Sequence, residues 1–338
     1  MKELMGMSHR SGYPLPPNQP WLNDLISVRR AMGPPPLDEG PATDGEAGTT
    51  EDLLCRLGAV VGSDGAAAAR ALAGLDRLMA EARAGAASSE EVCRRPGAVG
   101  LIVLAMRRHG GAGRREHDSA DADADAVCQS GLAVLARVMA LPDPRGGDAV
   151  AAGGGISAVI RAMERCGARR DDEDGGTAAP VAAATAHAAE ILRRLARTAP
   201  RREAIGTEGG CELVVRAMRD GTAQGRGEGR RDLVFHCLAA LHNFSVENEH
   251  NCYVIGSAGG IPCIFDAVRA HSDDEALVSV ACRALHRLSE VGTNRAQIGG
   301  GGDAEGWALV QAAGVAKYPK SCGSTVLQIQ SNLKRSNP

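Results

Sequence analysis

A chain of 338 residues exceeds the roughly 100 to 200 residues of one ordinary domain, so it forms either two domains or one extended array. With only 2 Trp, 3 Tyr and 3 Phe, its core must be built from Ala, Leu, Val, Ile and Met, a palette that favours close-packed helices over sheets. The formal charge of -3 excludes a general electrostatic drive toward nucleic acid or anionic membrane, and no run approaches the roughly 18 apolar residues of a membrane span.

Residues 1–49 read as a Pro- and Gly-rich tail interrupted by "WLNDLISVRRAMG", in which Trp21, Leu25 and Val28 fall at helical spacing. That short amphipathic segment is expected either to dock on the rest of the chain or to bind another protein. The N-terminus has no apolar stretch of signal-peptide length, and the ten cysteines lie singly, without a C-x-x-C pair. Reduced, buried thiols and a cytoplasmic or nuclear location are the expectation.

From residue 50 onward two motifs alternate. One is "LAGLDRLM" (72–79), "LAVLARVM" (132–139), "AEILRRLA" (189–196), "LAALHNFS" (238–245) and "CRALHRLS" (282–289); the other is "GAVGLIVLAMRRHG" from 97, "GGISAVIRAMERCG" from 154, "GGCELVVRAMRDG" from 209 and "GGIPCIFDAVRAH" from 259. The joint from the first motif to the second is nearly constant in length, whereas the return varies. Insertions collect in the return, at 110–125, 167–180 and 220–230, and their Gly-rich, charged sequences predict solvated loops or local disorder.

Within a unit the periods are helical. Ile261, Ile264, Phe265 and Val268 form one buried stripe, and Val234, Leu238, Leu241 and Ser245 another. Between them "NEHNCYVIGSA" has room for only a short helix, with Val254 and Ile255 turned inward. Gly259 and Gly260 suit a sharp left-handed corner, and Pro262 suits the first turn beyond it. The least expanded unit, Leu241 to Leu285, spans 44 residues, a period that belongs to two- or three-helix arrays.

The run "LHNFS...NEHNCYVI...GGIPCIFDAV" and its partner "LHRLS...NRAQI...GG" resemble armadillo repeats over about residues 50–336. The resemblance implies an all-α, right-handed solenoid of about five repeats plus a partial N-terminal cap, with units near 50–82 (cap), 83–140, 141–198, 199–246, 247–291 and 292–336. A two-helix HEAT array is the alternative, but it does not account for the short Asn-x-x-x-Ile helices at Asn251–Ile255 and Asn294–Ile298. The segment 299–319 is expected to be a degraded terminal unit.

The same resemblance implies that the third helices line a concave groove and that Asn243 holds the backbone of an extended partner segment. The Trp that family members often carry four positions earlier is Ala239 here, so their particular peptide pockets do not carry over. At the position of Asn243 and those four and seven residues before it, the five third helices present six arginines among fifteen residues: Arg70, Arg77, Arg137, Arg194, Arg283 and Arg287. Glu190 alone opposes them, so the stripe predicts an acidic or phosphorylated partner. The candidate partner-binding residues are therefore Asn243, Arg77, Arg137, Arg194, Arg283 and Arg287.

No catalytic or cofactor constellation is expected. His236, Cys237, His242, His250 and Cys252 lie close in sequence, but His236 and Cys237 are adjacent and point to different faces of one helix, which argues against zinc. The glycines at 153–155 and 299–302 are not followed by Lys-Ser/Thr and read as helix corners, not phosphate loops. The expected function is a non-enzymatic scaffold for a protein or peptide; a structural subunit that uses its convex face or loops, or a nucleic-acid binder, are the alternatives.

Overall fold

The computed structural model describes residues 49–335 except 62–63, 81–84, 96, 110–117, 143, 169–177, 224–227 and 302. The expected tail and its amphipathic segment lie outside the described residues.

Helices account for nearly all of the described chain. Two open it: α1 (Thr50–Val60), which starts at a capping box between Thr49 and Asp52, and α2 (Gly65–Ala80). The next six are α3 (Gly85–Arg94), α4 (Ala98–His109), α5 (Asp118–Ala140), α6 (Pro144–Ala152), α7 (Gly155–Ala168) and α8 (Ala178–Leu195). Then follow α9 (Ala199–Thr207), α10 (Gly210–Ala223), α11 (Glu228–Phe244), α12 (Glu249–Ser257), α13 (Gly260–Ala270) and α14 (Glu275–Leu288). The last are α15 (Gly292–Ala296), α16 (Ala304–Gln311) and α17 (Pro319–Leu333), with π-helical turns at Gln297–Gly301 and Ala312–Lys317. Both turns lie in or beside the segment 299–319.

The glycine corners are where the sequence places them. Gly97, Gly154, Gly209 and Gly259 have φ of 78°, 76°, 82° and 82°, each immediately before α4, α7, α10 or α13. A side chain with a Cβ is strained in that left-handed region, so glycine sets the turn from a short helix into a longer one. The stripes of α11 and α13 are buried as their periods predict: Val234, Leu238, Leu241 and Ser245 on one, Ile261, Ile264, Phe265 and Val268 on the other.

The helices pack in rows. α2, α5, α8, α11, α14 and α17 stack side by side in that order, and α1, α4, α7, α10, α13 and α16 form a second row. Each row is held by neighbours only, and one continuous apolar core from Leu53 to Ile329 lies between them. Eight of the ten cysteines are buried in this core as small hydrophobes. Burial pushes the Cys128 thiol up to about 12 and the Cys252 thiol up to about 11.

The short helices carry a ladder of their own. Asn251 on α12 donates from Nδ2 to the carbonyls of Arg202 (2.9 Å) and Phe244 (3.1 Å), and Asn294 on α15 donates to that of Cys252 (2.8 Å). Both amides are fully buried, and each lies against a glycine of the preceding short helix. A Cβ on Gly206 would stand 1.9 Å from Asn251 Oδ1, and one on Gly256 would stand 1.8 Å from Asn294 Oδ1. Asn and Gly thus lock one unit to the next in two successive places.

One expectation is corrected. Residues 118–125 and the ends of the other two insertions, 178–180, 220–223 and 228–230, are helical rather than looped. In "DSADADADA" the alanines are strong helix formers, and Asp121 and Asp125 fall four apart on one face of α5. That face meets α7, where Arg165 pairs with Asp121 at 2.9 Å and with Asp125. A charged sequence was read as solvated because its counter-charge lies 40 residues away.

Candidate functional site

The row formed by α2, α5, α8, α11 and α14 carries every candidate residue near its helix C-termini, one helix after another. The structure distributes their side chains unequally. Arg77 on α2 and Arg283 on α14 are exposed, with no ion pair to either among the described residues. Arg137 on α5 reaches back to α2, with Nε 2.9 Å from Asp76 Oδ1, and keeps two-fifths of its side chain in solvent. Arg287 on α14 pairs with Glu290 at 3.0 Å.

Two positions cap the helix before them. Arg194 on α8 donates from Nη1 to the carbonyl of Met139 (2.8 Å) at the end of α5. Asn243 on α11 donates from Nδ2 to the carbonyl of Arg193 (2.9 Å) at the end of α8. Free C-terminal carbonyls carry the negative end of the helix dipole, so a cation or amide donor satisfies them. One N–H of the Asn243 amide is therefore already engaged within the chain, which leaves its second N–H and its carbonyl oxygen for a partner backbone.

Glu190 organises the centre of the row. Arg193 and Arg194 bond its carboxylate, and Nδ1 of His236, from α11, lies 2.9 Å from Oε2. Burial opposes its ionisation, but the bonds from His236, Arg193 and Arg194 outweigh that and hold it well below the usual carboxylate range. Burial also lowers His187, which faces Asp76, Arg137, His236 and Glu190. Further along, His242 is lowered to about 4 by burial and by the guanidinium groups of Arg283 and Arg287.

Asp76, Arg193, Glu290 and the four histidines of this face, His187, His236, His242 and His286, were not among the candidates. Asp76 and Arg193 each precede a candidate by one residue, and Glu290 follows Arg287 by three, one helical turn on. Searching for a carboxylate within one turn of each arginine finds Glu190 for Arg194 and Glu290 for Arg287, but not that Asp76 pairs with Arg137.

Among the described residues no group of three or more His, Cys, Asp or Glu side chains stands together as a metal site requires, and no helix is long and apolar enough to cross a membrane. His236 and Cys237 diverge as expected: His236 faces Glu190, whereas Cys237 is buried in the core.

Rows of helices stacked through nearest neighbours around a continuous core define an α-solenoid. Within that class the chain has the armadillo-repeat fold. It is similar to a designed armadillo repeat protein at a TM-score of 0.56 and 12% identity, over 84% of this chain and 99% of the other. It is similar also to a computationally designed armadillo repeat protein for modular peptide recognition, at 0.53 and 12% identity over 85% and 99%. A further engineered protein superposes at 0.55 with 17% identity, over 83% and 97%. No family model matches the sequence, and no curated protein matches it either.

Proposed function

We propose that this chain is a protein-binding scaffold that holds an extended acidic or phosphorylated segment along the row α2, α5, α8, α11 and α14. The reading takes the helices as a right-handed solenoid of five three-helix units behind a two-helix cap, α1 and α2, with boundaries near 82, 140, 198, 246 and 291. One observation carries it. Exposed or half-exposed guanidinium groups recur on four of the five helices of one face, at Arg77, Arg137, Arg194, Arg283 and Arg287. Three of them are partly neutralised by Asp76, Glu190 and Glu290, which fixes their forks in place and leaves further N–H donors for a ligand. The designed protein of the same fold made for peptide recognition supports a peptide as occupant. A cytoplasmic or nuclear location belongs to the same proposal, as does a scaffold with no chemistry of its own.

The test is capture of partners from native lysate by the full chain and by Arg77→Gln/Arg137→Gln/Arg194→Gln, with circular dichroism to show that both are folded. The reading predicts that the folded variant loses the partners held in a salt-sensitive way. Undiminished capture would move the function to the convex face or the loops, and partners released by nuclease would point to nucleic acid.

A further inference from the structure

Along the candidate face, the junctions between successive helices differ in how their charge is balanced. Between α2 and α5 Arg137 meets Asp76, and between α8 and α11 the carboxylate of Glu190 is surrounded by Arg193, Arg194 and His236. Between α11 and α14 Arg231 pairs with Asp274 at 2.6 Å at the N-terminal ends, but at the C-terminal ends the balance is broken. His242 from α11 faces Arg283, His286 and Arg287 from α14, and the carboxylate there is Glu290, which holds Arg287 from an exposed position three residues on. Arg283 and Arg287 are four residues apart, so they project from one side of α14. Nδ1 of His242 is buried, and its ring lies against the backbone of Arg283.

We propose that this junction is the phosphate-binding position of the groove: a phosphorylated side chain of the partner segment is held by the guanidinium forks of Arg283 and Arg287, beside the imidazole of His242. The proposal rests on the scaffold reading above and narrows it to one place and one ligand chemistry. Two guanidinium forks on one side of α14 offer donors to the several oxygens of a phosphoryl group, whereas a carboxylate is satisfied by one fork. A dianion also matches two guanidinium groups opposed by a single, displaceable Glu290. His242 reports occupancy directly, because the two cations that now disfavour its protonation would be neutralised by the ligand.

The probe is inorganic phosphate, titrated into the full chain at constant ionic strength in chloride, with the His242 ring resonances followed by NMR. The expected result is a saturable shift of His242 with phosphate, and affinity about tenfold weaker in Arg283→Gln and in Arg283→Gln/Arg287→Gln. Arg283 is exposed, with no ion pair to it among the described residues, so the single variant keeps the test valid if the double variant unfolds. Capture of lysate partners should also fall when the lysate is treated with phosphatase. No shift, an equal shift in the variants, an equal shift with acetate, or phosphatase-insensitive capture each overturns the assignment. If these fail while the Arg77, Arg137 and Arg194 variant still loses its partners, the groove reading stands and this position is wrong. If phosphate binds here and that variant keeps all partners, the reverse holds.

Discussion

Gly256→Ala should destabilise the C-terminal part of the solenoid, and Asn294→Ala should rescue it. An added methyl at 256 would lie 1.8 Å from Asn294 Oδ1 and 2.7 Å from its Cγ, so the amide must leave its place. Leaving breaks its bond to the Cys252 carbonyl and strands a buried polar group, about 1–3 kcal/mol, with about 1–3 kcal/mol more from overpacking. The helical gain of Ala over Gly, about 1 kcal/mol, offsets part of this, so a net loss of about 1–5 kcal/mol is expected. Asn294→Ala alone loses the bond and opens a small void, about 1–3 kcal/mol. In the double variant the new methyl fills that void without a clash. Its stability should equal or exceed that of Asn294→Ala, a coupling at least as large as the loss in Gly256→Ala alone. Trp307 packs against the core one helix beyond Asn294, and in a Trp21→Phe background its fluorescence through a urea titration reads this unit. Additivity within about 0.5 kcal/mol would refute the argument that Asn and Gly act as one interlocking pair.

Other outcomes follow from the same contacts. Glu190→Gln should cost about 1–3 kcal/mol at neutral pH. Because the folded carboxylate titrates below its unfolded value, Glu190 contributes above about pH 4.3, so the gap to wild type in urea midpoint should close as pH falls below that. His242, lowered to about 4 from an ordinary value near 6.5, favours the fold while neutral, so stability should fall as pH drops from about 6.5 to 4, and less so in His242→Asn. Thermal melts across that window decide it. Arg165→Ala should release the first turns of α5, seen as faster hydrogen exchange of amides around Asp121 to Asp125 with little change in α14. In the wild type the slowest amides should lie between α8 and α14, with faster exchange toward α1 and α17.

The corners and stripes were legible because they are local. A glycine pair ahead of an i, i+3, i+4, i+7 apolar pattern states its conformation within a dozen residues, and the φ values at Gly97, Gly154, Gly209 and Gly259 agree. The Asn-x-x-x-Ile helices were legible as elements, but the Asn–Gly interlock was not. Asn294 and Gly256 belong to different units, and only their stacking brings them together. The arginine stripe was half legible for the same reason. Residue spacing places Arg137 and Arg194 on one face, but cannot say that Asp76 and the Met139 carbonyl, 61 and 55 residues away, already hold them. The run "DSADADADA" misled because composition was weighed without its distant partner, Arg165.

The central claim, that the arginine-bearing row holds an extended anionic segment, is tested most directly by salt dependence. A captured partner segment should be titrated against wild type and against a variant with Asn243→Ala and Gln in place of Arg77, Arg137, Arg194, Arg283 and Arg287, across a range of chloride concentrations. Five half-exposed contacts at ~0.2–1 kcal/mol each predict about 1–5 kcal/mol of lost affinity in the folded variant, and a much shallower decline with salt. Equal affinity and an equal salt slope in the two proteins would contradict the claim.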